Sequence, residues 1–188
     1  MLLFLLDLGL FSTKTLVEAN PDHPVEVAYF DRGPVDPPAG ADVPVGAAAG
    51  GAAAAKRATA GGSWGAYYWN GYVYSSELDR GFDIIELTPN DKLSKNEIEA
   101  AKLMRQAVYN PQSQTTFEWP PAFVVVRSYL DQLVRNQGLA ANRTSAIAAA
   151  LDAAEMKTGA ARAAALTALA AEVDKDANGA KDSARVKT

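Results

Sequence analysis

Cysteine is absent from this chain and histidine occurs once, at His23. The first absence rules out disulfides, thiolate metal sites and cysteine nucleophiles. His23 lies between Asp22 and Pro24 with nothing beside it to support general-base or metal chemistry, so it reads as a solvated loop residue. Clustered positive charge is missing too. Lys and Arg are spread singly, and the one basic dipeptide, Lys56-Arg57, lies in a low-complexity tract. With a formal charge of −4 and a pI near 5.0, the chain has no basic face for nucleic acid. Long hydrophobic runs are lacking as well. The apolar start MLLFLLDLGLF is shorter than the roughly 20 residues of a membrane span. It carries Asp7 and no basic leader, which leaves a buried strand, an irregular start or a degraded export signal. Glycine-rich residues 46–51 lack the Lys-Ser/Thr of a phosphate loop, and no nucleophile-elbow pattern occurs, so no nucleotide or other cofactor is implied.

What is present is apolar residues, at 48% of the chain, although many of them are alanine. Alanine buries little area, so the core must come from scattered aromatic, Leu, Ile and Val positions. At 188 residues there is room for one ordinary domain or two small ones.

Residues 1–33 read as an N-terminal strand segment. Asn20-Pro21 and His23-Pro24 force a turn, Val25, Val27 and Tyr29 then alternate with Glu26, Ala28 and Phe30, and Asp31-Arg32-Gly33 closes the strand. Residues 34–62 are rich in Ala, Gly and Pro and hold little beyond Val43 and Val45 to offset ordering entropy, so they read as a linker or insertion. Residues 63–90 form an aromatic hairpin. Tyr72, Tyr74 and Ser76 share one face of a strand and Val73 and Ser75 the other. A turn at Leu78-Asp79-Arg80-Gly81 follows, with Gly81 suited to a left-handed conformation, and a return strand runs from Phe82 to Leu87.

Residues 91–175 switch to helical signals. Ser94 and Glu97 have capping-box spacing, Leu93 and Ile98 staple spacing, and the apolar face continues through Ala101, Met104 and Val108 to Asn110-Pro111. A second helix is predicted from Pro120-Pro121, burying Phe123, Val126, Leu130 and Leu133 and stopping at Gly138. A third, capped by Asn142, buries Ile147, Leu151 and Ala154, and a fourth carries Leu166, Leu169 and Val173. Residues 176–188 read as a polar, fraying tail. The predicted class is α+β: an antiparallel β-hairpin or blade-like sheet followed by a small antiparallel bundle of helices.

The candidate partner-binding set is Trp64, Tyr67, Tyr68, Trp69, Tyr72 and Tyr74, which can stack on sugar rings or receive a partner's apolar anchors, or fill a core between blades. Glu77, Asp79, Asp83 and Glu86 surround the hairpin turn. Paired carboxylates can hydrolyse glycosides and clustered ones can bind Ca²⁺, but on an exposed turn they are solvated and the EF-hand spacing is absent. Neither catalytic nor metal-ligating residues are assigned. Asn142-Arg143-Thr144 has the glycosylation pattern, which a helix cap at Asn142 explains better.

The stretch WNGYVYSSELDRGFDIIELTP, followed by a Ser-x-x-Glu helix, resembles the terminal region of bacterial LVIVD-repeat proteins, a β-propeller-like, largely extracytoplasmic family. Tyr72 to Leu87 is similar to the family's strand, Gly-ended turn and second strand. LVEANPDHPVEV, Leu16 to Val27, is similar to the end of a preceding blade, with Asn20-Pro21 and His23-Pro24 matching its Asp/Asn-Pro-x-x-Pro turn. After Leu87 the chain departs into a helix, as where a propeller ends. The resemblance covers residues 16–33 and 64–135, the later helices more weakly. A propeller needs at least four blades and this chain supplies one to two, so the resemblance implies the tail of a longer protein. It further implies an extracytoplasmic, non-enzymatic scaffold or accessory subunit of the cell envelope, with a protein partner and neither nucleic acid nor nucleotide. The alternative is an extracellular carbohydrate-active or metal-dependent enzyme using the hairpin carboxylates.

Overall fold

The computed structural model describes residues 3–7, 13–18, 25–31, 63–77, 81–110, 112 and 118–188. The expectations for His23, for the prolyl turn around it, for the 34–62 tract and for Leu78, Asp79 and Arg80 lie outside these residues. The chain is α+β and divides into two compact units, Met1–Leu87 and Thr88–Thr188.

The first unit holds two antiparallel three-stranded meanders. One comprises β1 (Leu3–Asp7), β2 (Thr13–Glu18) and β3 (Val25–Asp31), with a register shift between Leu16 and Val17. The apolar start therefore contributes a strand. The other comprises β4 (Ser63–Trp69), β5 (Tyr72–Glu77) and β6 (Gly81–Glu86). The predicted hairpin is its β5–β6 half, and Gly81 takes φ +87°. The extra strand, β4, is joined to β5 by the two-residue turn Asn70-Gly71, with φ of +49° and +105°. Positive φ at both positions is what a type I′ hairpin turn demands, and Asn-Gly supplies it at least cost. Among the described residues the sheet has three strands, where a propeller blade has four.

The second unit is helical: α1 (Lys95–Lys102), α2 (Phe123–Arg135), α3 (Ala141–Glu155), α4 (Gly159–Asp176) and α5 (Ser183–Val186). Its entry is the predicted capping box. Ser94 Oγ accepts from the Glu97 N–H at 3.1 Å, and Glu97 Oε2 accepts from the Ser94 N–H at 2.7 Å. Leu93 and Ile98, at staple positions, are both buried. The Glu97 carboxylate also binds Arg135 of α2 through two bonds of 2.7 and 2.8 Å, so one side chain caps α1 and clamps it to α2. Burial alone would raise the Glu97 pKa. The Arg135 hydrogen bonds and charge and the bonds at Ser94 together outweigh that and hold it below its ordinary value.

The helices differ from the sequence reading in three places, two of them boundaries. Helix α1 ends at Lys102 rather than near Asn110. Leu103 and Met104 close it with i→i+3 bonds to Ala100 and Ala101, and Leu103, Val108 and Tyr109 beyond are exposed. With these side chains turned to solvent, propensity does not sustain further turns. In α2, Val125 is buried and Val126 is half exposed. Val125, Ser128 and Gln132 lie at the spacing of Arg135, the α1-facing side, so α2 buries two stripes rather than one. Its end is a Schellman motif with Gln137, φ +53°, as the left-handed residue, and the Gly138 N–H bonds the Leu133 carbonyl at 2.9 Å. Burial of Leu139 then turns the chain directly into α3, so the N-cap position falls on Ala140 and Asn142 sits exposed inside the first turn.

The main core joins Leu130 and Leu133 of α2, Ile147 and Leu151 of α3, and Leu139, with Phe123, Leu166, Leu169 and Val173 packed against it. Ala177 and Val186 belong to the same cluster. Residues 176–188 are therefore docked rather than a fraying tail. The Asp182 N–H bonds the Gly138 carbonyl at 3.0 Å and the Asn136 amide bonds Asp182 Oδ2 at 2.9 Å. Surface ion pairs tie α2 to α3 (Arg127 to Asp152 and Glu155), and a partly buried one ties α3 to α4 (Arg143 to Asp176).

Candidate interaction surface

The strand period decides what the aromatic set can do together. In the β4–β6 sheet, Tyr67 pairs across to Tyr74 and then Ile84, Trp69 to Tyr72 and then Glu86, and Gly65 to Ser76 and then Phe82. These rungs share one face. The intervening rungs, Tyr68 to Val73 to Ile85 and Ala66 to Ser75 to Asp83, form the other. The second face is the covered one, since Val73 is 2% and Ser75 1% exposed and the Ser75 hydroxyl donates to the Gly65 carbonyl at 3.0 Å.

The first face is open. Tyr67 is 50%, Tyr72 40%, Phe82 62% and Ile84 62% exposed, with Trp69 and Tyr74 half-buried among them. A diagonal of rings crosses all three strands. Trp69 lies 5.7 Å from Tyr74 and Tyr74 lies 6.0 Å from Phe82, with ring planes inclined by 55° and 35°. Such tilted pairs add about 0.5–1.5 kcal/mol each beyond their burial. The diagonal therefore stiffens the sheet even though its outer side faces solvent. Trp69 Nε1 is turned inward and has no hydrogen-bond partner among the described residues.

Of the six predicted site residues, the structure brings Tyr67, Trp69, Tyr72 and Tyr74 onto this one face. It places Tyr68 on the opposite face, and Trp64 is described only as part of β4. The sequence reading missed Phe82 and Ile84, which are the most exposed apolar residues of the face. Their alternation with Asp83 and Ile85 was visible, but their partnership with the tyrosines required the β5–β6 register.

The two described hairpin carboxylates, Asp83 and Glu86, do not converge. Asp83 lies half-buried on the covered face and Glu86 lies exposed on the open one, so the two cannot flank one bond. The side chain of Glu77, and Asp79 as a whole, lie outside the description. Among the described residues, no group of three or more His, Asp or Glu is placed to hold a metal ion. Nor, among them, is any helix long and apolar enough to cross a membrane. No protein-family model, no curated protein and no solved structure matches the chain.

Proposed function

We propose that this chain is a non-enzymatic scaffold or interaction protein that fastens to a larger assembly through the open face and the strand edges of the β4–β6 sheet. The observation that carries this reading is the exposed apolar face itself: Tyr67, Tyr72, Phe82 and Ile84 stand together on one side of one sheet, around an ordered ring diagonal. Soluble surfaces scatter single apolar residues, whereas a contiguous set of this kind marks a docking site. β6 pairs only with β5 among the described strands, so its outer edge also offers backbone groups to a partner strand.

The resemblance to the terminal region of LVIVD-repeat proteins supports a setting outside the cytoplasm, in the cell envelope, as an accessory subunit. It also offers a physical reason for the open face, because a neighbouring blade would cover one like it. The catalytic alternative needs convergent carboxylates, and Asp83 and Glu86 oppose it by facing opposite ways.

A photo-crosslinking phenylalanine analogue placed at Tyr72, or at Ala163 on α4 as a control, tests the docking. The expected result in intact host cells is a discrete covalent adduct from position 72 and none from 163. Equal or absent crosslinking at both positions overturns the reading.

A further inference from the structure

We infer that the occupant of the open β4–β6 face is the same face of a second copy of this chain. The inference rests on the docking reading above and names its partner. It is carried by area, charge and relief.

Area comes first. With side-chain surfaces of roughly 150–250 Å² each, the exposed fractions of Tyr67, Tyr72, Phe82 and Ile84 leave about 450 Å² of apolar surface open. That lies within the range of roughly 300–600 Å² found for the largest patch on a monomer, patches that are often functional. Two such faces, with their bordering residues, remove about 1,000 Å² from water when they meet, which is the threshold for a specific interface.

Charge selects among partners. The face runs Gly65, Tyr67, Trp69, Tyr72, Tyr74, Ser76, Phe82, Ile84 and Glu86, and Glu86 at one corner is the single carboxylate among these described residues. A charged partner would shed water without gaining matching ion pairs, whereas an identical face brings the same apolar surface and the same few hydroxyls. A two-fold axis lying between the sheets and through the patch centre sends Glu86 across the sheet or along the strand. The two carboxylates then stand about 10 Å or more apart, given strand spacings near 4.8 Å.

Relief points the same way. Planes tilted by 55° and 35° make ridges and furrows, not a flat platform. Sheets that pack face to face about 10 Å apart interdigitate such relief, while the sugar rings of a polysaccharide lie best on coplanar rings.

Sedimentation velocity on the full chain, up to about 100 µM so as to reach weak association, reads the outcome directly. The wild type is expected to dimerise. Phe82→Lys and Ile84→Lys are each expected to raise the dissociation constant by roughly tenfold or more, and Ile84→Thr, which keeps strand propensity, by less. Val126→Lys on α2 is expected to leave it unchanged, and unaltered circular dichroism establishes that the variants fold. A monomer at all concentrations, or a dimer indifferent to both lysine variants, overturns the inference. A monomer that still gives a heterologous adduct from position 72 overturns self-pairing and leaves the docking reading standing. A monomer retained on insoluble polysaccharide through Phe82 overturns it in favour of a carbohydrate ligand. A monomer with no adduct overturns both.

Discussion

Glu97 does more than any other single side chain in the helical unit. It completes the Ser94 capping box, receives both Arg135 bonds and is itself almost wholly buried. Ser94→Ala removes one partner of the cap and is expected to cost about 1 kcal/mol, read from urea unfolding followed at the helical dichroism band. Glu97→Gln takes away the negative charge that Arg135 meets through two hydrogen bonds at a partly covered site. The expected loss is about 2 kcal/mol, below the roughly 3–5 kcal/mol of a fully buried broken pair because the guanidinium still touches water. The pH dependence has a definite sign. The folded pKa of Glu97 lies below its ordinary value of 4.5, so its contribution is complete above that value and is lost as pH falls through the folded pKa. Helix melting of the wild type should therefore drop on acidification below about pH 4.5, and Glu97→Gln should flatten that drop. Equal acid sensitivity in the two proteins would exclude this carboxylate as the cause. Gly138 is the other residue with no substitute. A Cβ there would lie 2.6 Å from Asn136 Oδ1, 2.8 Å from Asp182 Cβ and 2.8 Å from Leu133 Cδ2, so Gly138→Ala must push apart the joint that holds the C-terminal segment.

At the scale of elements, that joint matters because Val186 reaches the core from a helix of only four residues. Val186→Ala should cost about 2 kcal/mol in thermal or urea unfolding, more than a fraying end could lose. The composition of 176–188 hid this. One valine among Lys, Asp and Asn reads as solvated, and only the Asp182–Gly138 backbone bond shows where it goes. The capped start of α1 was legible because a capping box is a local reciprocal bond pair, complete within four residues. The end of α1, the second buried stripe of α2 and the start of α3 were not, because each depends on what packs alongside. The sheet divides in the same way. The β5–β6 hairpin was readable from its alternation and from Gly81. β4 escaped notice even though Asn70-Gly71 is the strongest short hairpin signal in the chain, since the aromatic richness on both sides of it masked the break.

At the scale of the whole molecule, a formal charge of −4 sets two copies against each other at long range, while the face proposed to join them is almost uncharged. Raising the salt should therefore tighten self-association slightly by screening that repulsion, where an ion-paired interface would loosen. Sedimentation equilibrium across a salt series measures the sign, and loosening with salt would count against an apolar interface. By itself the sequence determined the α+β order, the capped first helix, the positions of most core leucines and isoleucines, and the aromatic richness of the 63–87 region. These follow from short-range physics: dihedral preference, capping and the periods of helix and strand. Only the tertiary structure decided that Tyr67, Trp69, Tyr72 and Tyr74 stand with Phe82 and Ile84 on an open face while Tyr68 goes to the other. It alone separated Asp83 from Glu86 and drew Val186 into the core. Strand register and helix neighbours are long-range choices, and a one-residue slip in strand register would exchange the two faces of the sheet.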